Sequence, residues 1–233
     1  MKVLAFDTAL GGCSVAVVDT DSGKAVSDVR PMARGQSEQL VPMVQHVIER
    51  AGIAFPDLDL IATTVGPGAF TGLRIGLSTA RSFGTALDRP VDGVLTTEAI
   101  AAHFIAQNKD NATDLLVVIE TKREDFYAHH FSADGKAVDE PFAAPLSVLV
   151  ENYQGRVLNV CGDALARLHE DLGSNWPETW TAFPGFDLID PEVLAVLAFE
   201  RRIADRIRPA DPVYLREADV SVSTRPVRTI AET

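Results

Sequence analysis

The sequence has few cysteines, no excess of basic residues and no long apolar run. Its two cysteines, Cys13 and Cys161, lie far apart in unlike contexts, which argues against a disulfide framework and favours reduced thiols in the cytosol. The 233 residues include 21 Lys and Arg against 33 Asp and Glu, a formal net charge of -12. Such a surface repels phosphate backbones, so we expect no strong nucleic-acid binding by the chain alone. The apolar runs are too short for a membrane span, and the N-terminus does not have the pattern of a signal peptide.

Several patterns that mark catalytic or metal-binding proteins are also missing. None of the five histidines is paired at four-residue spacing, and His129-His130 is a strand dipeptide whose side chains point to opposite faces. No G-x-S-x-G motif and no Ser-His-Asp or Cys-His arrangement is visible. The chain has Leu73 where a Walker A loop needs lysine, and Thr71 where a dinucleotide fingerprint needs glycine. We therefore predict neither a catalytic residue nor a metal site.

The most informative stretch that is present spans residues 65–84 and reads VGPGAFTGLRIGLSTARSFG. It predicts the end of a strand, a Gly-Pro turn and a helix. Small residues recur at every fourth position of this helix and so form one stripe along it: Gly72, Gly76, Ala80 and Gly84. Each interior glycine costs about 1 kcal/mol relative to alanine, so the stripe needs a physical reason. Either another backbone packs very close to the helix, or a phosphate binds at its start.

Apolar periodicity and turn signals predict the remaining elements. Ser37 is expected to cap the first helix and Gly52 to end it. The first half is predicted to contain strands over 2–7, 13–19, 24–30, 58–65 and 91–95, and helices over 37–51, 71–87 and 97–106. The second half is predicted to contain strands over 115–120, 125–131, 136–140 and 157–161, and helices over 164–172 and 191–207. The only basic cluster, Arg201-Arg202 and Arg206-x-Arg208, is expected to be a solvated helix face.

The two halves repeat one plan. Each opens with a β-meander whose first strand ends in an acidic residue, and each then adds strand–helix units, so that Asp7-Thr8 corresponds to Glu120-Thr121. This is the plan of the α/β actin-like (ASKHA, ribonuclease-H-like) fold, in which two lobes with mixed sheets flanked by helices surround a nucleotide cleft. We expect a first lobe over 1–107, which carries the two helices proposed below to dock a partner. A second lobe is expected over 108–218 and a disordered tail over 219–233.

A candidate anion or nucleotide contact lies where the first strand and the glycine turn end. In actin-like proteins an acidic residue at the position of Asp7 often holds a metal-bound water near phosphate. Backbone amides of the glycine turn could also form an anion nest at the helix start. The alternative is structural, because an Asp-Thr pair and a Gly-Pro turn are equally suited to a strand end. The candidate residues are Asp7, Thr8, Gly66, Gly68 and Thr71.

The stretch GPGAFTGLRIGLSTARSFG resembles the signature of the TsaB family, also called YeaZ. The resemblance extends to LAFDTALGGCSVAVVD at the start, SEQLVPMV at a helix start, GDALAR and PVYLREADV, which follow in family order and cover nearly the whole chain. The dense glycine string is quite specific because it includes Phe70-Thr71 and Leu73-Arg74. The actin-like ancestry of this family agrees with the two-lobed plan.

The resemblance implies a function in tRNA modification. It implies a non-catalytic subunit that binds a TsaD-like catalytic subunit and supports formation of N6-threonylcarbamoyladenosine (t6A) at position 37 of tRNAs that read ANN codons. It also implies a TsaE-like ATPase in the complex, ATP used by the complex but no cofactor required by this chain, and tRNA contact only through the complex. The protein would be cytoplasmic, off the membrane and a homodimer when alone. Gln36 and Glu120 stand where relatives commonly have His and Asp, which puts a site role for these two positions in doubt.

The resemblance also gives the glycine stripe a role. TsaB-type proteins associate through their first two helices, and small residues would let helices pack towards the short end of the usual ~8–10 Å distance. The alternative is that the stripe packs on the chain's own sheet. The candidate residues for the partner interface are Leu40, Met43, Val47, Gly72, Leu73, Gly76, Leu77, Ala80 and Gly84.

Two other classes of function stay open. An actin-like ATPase or phosphotransferase would use Asp7 and the glycine turn, and it predicts Mg-dependent nucleotide turnover that Asp7→Ala abolishes. A degenerate glycoprotein metallopeptidase would instead bind a metal stoichiometrically.

Overall fold

Two five-stranded mixed sheets form the framework of the computed structural model, which describes residues 1–216. The strands of the first sheet are β1 (Lys2–Asp7), β2 (Gly12–Asp19), β3 (Lys24–Pro31), β4 (Leu60–Gly66) and β5 (Val91–Leu95). Strand β1 pairs antiparallel with β2 on one side and parallel with β4 on the other, which gives the order β3-β2-β1-β4-β5. The predicted disordered tail, 219–233, lies outside the described residues.

The second sheet repeats the first. Its order is β8-β7-β6-β9-β10, again with an antiparallel meander on one side of the first strand and parallel strands on the other. Its strands are β6 (Leu115–Glu120), β7 (Asp125–Phe131), β8 (Phe142–Pro145), β9 (Leu158–Cys161) and β10 (Trp180–Ala182). This duplicated topology is the α/β actin-like, two-lobed fold that the sequence predicts.

Helices cover both faces of each sheet. The helices are α1 (Gln36–Ala51), α2 (Phe70–Leu87), α3 (Thr96–Gln107), α4 (Leu146–Asn152), α5 (Leu165–Leu172) and α6 (Pro191–Ile203). Helices α1 and α2 pack on one face of the first sheet, while α3 and α6 lie in the layer that the two lobes share. Gly52 ends α1 in the left-handed conformation, as predicted, but α1 begins after Gly35 and Ser37 does not cap it. Among residues 1–216, no helix has the length and apolar content to cross a bilayer.

The last described segment of the chain packs against the first lobe. The core shared by the lobes joins Val3 of β1 and Val117 of β6 to Leu194 of α6, and α6 packs against β1 and β2. The segment after α6 also returns to the first sheet, because the Val213 N–H donates to Val65 O at 2.7 Å. Residues 191–213, assigned by sequence to the second lobe, are therefore part of the packing of the first.

Three local predictions are wrong. No strand forms over 136–140: the Asp134-Gly135 turn is present, but the strand begins at Phe142, and α4 and β10 follow where no element is predicted. Helix α6 ends at Ile203 instead of residue 207. Arg201 belongs to a charged run expected to lie in solvent, yet its side chain is buried and ion-paired with Glu98.

Candidate functional site

The glycine turn between β4 and α2 lies against two other backbone segments of the chain. Gly66 has a left-handed φ of 110°, and a Cβ there would lie 2.8 Å from Val213 O. A Cβ at Gly68 would lie 2.7 Å from Ala9 O, which also accepts a hydrogen bond from the Ala69 N–H at 2.8 Å. Side chains at both positions would clash with backbone that cannot easily move, so the glycines are needed for the fold itself.

The glycine stripe of α2 brings this helix very close to the turn after β1. A Cβ at Gly72 would lie only 1.9 Å from Thr8 O, and the Thr8 hydroxyl donates to Gly72 O at 2.7 Å. A Cβ at Gly76 would lie 3.0 Å from Thr8 Oγ1 and 3.1 Å from Thr63 Oγ1. The stripe thus permits a close backbone approach, but the neighbouring backbone belongs to the same chain.

This packing corrects the predicted partner interface. All nine residues proposed for it are buried inside the chain: Leu40, Met43, Val47, Gly72, Leu73, Gly76, Leu77, Ala80 and Gly84. The physical reason is that the apolar stripe of an amphipathic helix faces the core of its own domain. A partner that docks on these helices would meet their exposed residues instead, among them Val41 and Pro42 on α1 and Phe70 and Arg74 on α2.

Asp7 and Thr8, the candidate anion contacts on β1, are almost completely buried. Asp7 Oδ1 accepts hydrogen bonds from the Thr64 hydroxyl and from the Ala9 N–H, the latter at 3.1 Å. Burial is the main cause that raises the pKa of Asp7 above its ordinary value. In this arrangement Asp7 joins β1 to β4 and orders the turn that follows. Of the five candidate residues only Thr71 is exposed, so anion binding here stays a prediction.

An acidic cavity of about 610 Å³ lies between the first β-meander and the loop before α6. Four carboxylates and one histidine are among its lining residues: Asp163, Asp187, Asp190, Glu192 and His103. Burial, followed by the charges of Glu120, Asp187 and Asp7, raises the pKa of Asp163 to about 7. A concentration of carboxylates repels the phosphates of a nucleotide.

Leu188 packs on Gly12, the first residue of β2. A Cβ at Gly12 would lie 2.7 Å from Leu188 Cδ2 and 2.8 Å from Arg30 O, whereas Gly11 in the turn before it is exposed. Sequence reasoning did not find Leu188, Asp163 or Asp187 as lining residues of the cavity. Asp163 lies in the GDALAR stretch, which has no known catalytic pattern, and Asp187 and Leu188 lie in a loop without a motif. Only the folded chain brings the three to the first lobe.

The counterpart of Asp7 in the second lobe is Glu120, which forms an ion pair. Its carboxylate lies 2.9 Å from Arg167 Nε, and its backbone N–H donates to Asp163 Oδ1 at 2.9 Å. Both acidic strand ends therefore make contacts within the chain. Among residues 1–216, no group of three or more His, Cys, Asp or Glu side chains is arranged to hold a metal ion.

The two adjacent histidines of β7 have structural partners. His129 Nδ1 lies 2.7 Å from Thr97 Oγ1, and burial lowers the pKa of this histidine. His130 Nε2 lies 3.1 Å from Asp114 Oδ2. The two side chains face different layers, as the strand period predicts.

Comparison with known proteins supports the fold and adds a family. The model of the family described as TsaD: tRNA N6-adenosine threonylcarbamoyltransferase matches residues 30–160 of this chain. A crystal structure from Pseudomonas aeruginosa, described as an uncharacterized protein with similarity to peptidase YEAZ, is 25% identical with a TM-score of 0.78. The match covers 92% of this chain and 99% of that chain.

Sequence relatives match over almost the full length. An uncharacterized protein of Mycobacterium tuberculosis is 35% identical over 218 residues, 93% of this chain and 92% of that protein. The tRNA threonylcarbamoyladenosine biosynthesis protein TsaB of Escherichia coli is 28% identical over 229 residues, 93% of this chain and 95% of that protein. With the duplicated fold and the glycine stretch, these matches show that the chain belongs to the TsaB (YeaZ) family of tRNA threonylcarbamoyladenosine biosynthesis.

Proposed function

We propose that this chain is a non-catalytic accessory subunit that binds a TsaD-like catalytic subunit and is required for t6A formation at position 37 of tRNAs reading ANN codons. In this proposal the chain requires no cofactor, ATP is used by the complex, and a TsaE-like ATPase is a further partner. The chain contacts tRNA only through the complex, forms a homodimer when alone, and acts in the cytoplasm away from membranes.

The non-catalytic part of the proposal rests on the burial of Asp7 and on the acidic lining of the cavity. Asp7, the residue expected to act on phosphate, is buried and hydrogen-bonded to the Thr64 hydroxyl. The cavity beside it is lined by carboxylates, which oppose the binding of a polyphosphate. Leu188 packs on Gly12, the first residue of β2, and lines the same cavity. These features favour a scaffold over an ATPase or phosphotransferase.

The scaffold part rests on the family and on the two helices that cover the outer face of the first sheet. Helices α1 and α2 are held rigidly by their buried faces, which leaves their opposite faces exposed as a fixed surface. A partner subunit that docks there need not rearrange the core, so little ordering entropy would be lost on association. The exposed positions, and not the glycine stripe, would then form the contact.

A reconstituted modification assay tests the proposal. The TsaD-like subunit, the TsaE-like ATPase, the enzyme that supplies the carbamoyl-adenylate and an ANN-reading tRNA are mixed with or without this chain. We expect t6A only in its presence. Asp7→Asn keeps the size and hydrogen-bonding shape of the side chain, so we expect it to support modification at the wild-type rate.

Three results would contradict the proposal. Full t6A formation without the chain would show that the subunit is dispensable. If Asp7→Asn folds and binds the partner normally but loses all activity, the carboxylate acts in chemistry and the chain is an enzyme. Mg-dependent ATP turnover by the purified wild-type chain would give the same conclusion.

A further inference from the structure

Three residues form a fixed group on the surface at the start of α2, which we call the platform: Phe70, Arg74 and Tyr214. The rings of Phe70 and Tyr214 lie 5.2 Å apart, and both side chains are exposed, by 42% and 44%. The guanidinium carbon of Arg74 lies 3.7 Å above the Phe70 ring, and its Nε donates to the Tyr214 hydroxyl at 3.3 Å. Single exposed aromatic residues are ordinary, but two aromatics that orient one arginine are not.

The Arg74 side chain has unused hydrogen-bonding capacity. Its Nε is bound to Tyr214, while among residues 1–216 its two terminal nitrogens have no hydrogen-bond acceptor and no carboxylate within ion-pair distance. Arg81 on the same helix differs, because its guanidinium is paired with Asp211. Two parallel terminal N–H groups match both oxygens of a carboxylate, which is the geometry of a strong bidentate contact.

The platform is held in place from below and from the side. The close contact of Gly72 with Thr8 fixes the first turns of α2 against β1. On the other side, Tyr214 follows Val213, whose N–H donates to Val65 O at 2.7 Å. The aromatic rings add few rotatable bonds. The arrangement is therefore organised before any partner binds, a property of residues that dominate binding energy at interfaces.

We propose that the platform is the electrostatic anchor for the TsaD-like subunit, and that it receives an Asp or Glu carboxylate of that subunit on the two terminal nitrogens of Arg74. This inference rests on the proposed function and names the chemistry of the contact. Charge complementarity at the contact supports it: among residues 1–216 no carboxylate neutralises the terminal nitrogens of Arg74, so an acidic partner side chain meets an unpaired cation there. A nucleic acid would bring a row of phosphates, which the net charge of -12 opposes over the whole surface, whereas one carboxylate needs only this one cation.

The test measures the affinity of the purified full-length chain for the TsaD-like subunit at about 50 mM and about 300 mM salt. We expect Arg74→Gln to weaken binding about tenfold at low salt and to flatten the salt dependence. Arg74→Lys keeps the charge but loses the planar fork, so it should bind with intermediate affinity. Arg206→Gln removes another exposed positive charge, one with no aromatic ring beside it among residues 1–216, and should leave the affinity unchanged. Equal unfolding midpoints would show that all variants are folded.

A charge exchange identifies the partner residue. A photoreactive benzophenone amino acid at position 70 should cross-link to a peptide of the TsaD-like subunit, and the nearest carboxylate there is replaced by lysine. We expect Arg74→Glu to abolish binding to the native subunit and to regain it with the lysine variant. Rescue of this kind is not expected if Arg74 has only a structural role.

Other outcomes overturn the inference. If Arg74→Gln and the wild type bind the subunit equally at both salt concentrations, the inference is wrong and the proposed function stands. If the wild type does not bind the subunit, both are wrong. If Arg74→Gln lowers only tRNA retention by the complex, the occupant is a phosphate, and if it dissociates only a homodimer of this chain, the occupant is a second copy.

Discussion

Replacing Gly72 by alanine should destabilise the protein strongly, although alanine is the better helix former. The new Cβ would lie 1.9 Å from Thr8 O and 3.0 Å from the Thr8 carbonyl carbon. Because these are backbone atoms, α2 would have to move away from β1 by about an ångström or more, and no side chain could yield instead. The movement would also stretch the buried hydrogen bond from the Thr8 hydroxyl to Gly72 O, now 2.7 Å.

The expected magnitude follows from three terms. Overpacking costs about 1–3 kcal/mol. Loss of a buried hydrogen bond adds about 1–3 kcal/mol. The higher helix propensity of alanine returns about 1 kcal/mol. We therefore expect Gly72→Ala to lower the free energy of unfolding by about 1–5 kcal/mol, a large part of the about 5–15 kcal/mol that a typical domain has.

Gly76→Ala is the matched control in the same helix. Its Cβ would meet only two side-chain hydroxyls, at 3.0 and 3.1 Å, so a shift of a few tenths of an ångström relieves the contact without breaking the hydrogen bond from Thr8 to Gly72 O. The helix propensity gain then nearly offsets the strain, and we expect a change within about 1 kcal/mol. Urea unfolding followed by far-UV circular dichroism measures both variants. Equal stability of Gly72→Ala and Gly76→Ala would refute the close approach of α2 to the turn after β1.

Two further substitutions test the charged interior. Because the folded-state pKa of Asp163 is raised to about 7, above its ordinary 3.8, ionising this group costs stability as pH rises from about 4 to 7. The free energy of unfolding of Asp163→Asn should therefore rise relative to that of the wild type across this pH range, and the difference should stay constant above it. Urea titrations that show the same difference at every pH would contradict this. Arg201→Met leaves Glu98 and the buried Asp92 without their shared cation and should lower the free energy of unfolding by about 3 kcal/mol. Arg202→Met, on the exposed face of the same helix, should change it by less than about 0.5 kcal/mol, and equal losses in the two variants would show that the buried ion pairs are unimportant.

Regular hydrophobic patterns made much of the fold predictable. The strands β1, β5, β6 and β7 have the bounds that their alternating or continuous apolar residues predict. The repeated meander, ended in each lobe by an acidic residue, was enough to predict the two-lobed fold. The prediction failed where local signals were weak or misleading. Residues 136–140 follow a real turn but are not a strand, and β8 ends in a proline, which is a poor strand signal.

The candidate site was less predictable, because its contacts join distant parts of the chain. Four-residue spacing of small residues predicts a close backbone approach, but it cannot tell a partner's backbone from that of Thr8, which is 64 residues away from Gly72. The burial of Arg201 likewise depends on Glu98, 103 residues earlier. Tyr214 follows α6 in a stretch without a periodic pattern, so its contact with Phe70 had no local signal.

The glycine stripe and the exposed platform are two consequences of one packing arrangement. Small residues on the inner face of α2 let the helix pack directly against the turn after β1. This backbone contact fixes the position of the helix. Residues on the outer face, Phe70 and Arg74 among them, are therefore held in fixed positions as well.

A substitution in the stripe would weaken partner binding indirectly, by displacing the outer face of α2. The loss of affinity should then appear together with a loss of stability. A substitution at Arg74 should weaken binding without any loss of stability. Measuring affinity and the free energy of unfolding on the same variants separates these two causes. A stripe variant that loses affinity but keeps full stability would show that the stripe contacts the partner directly.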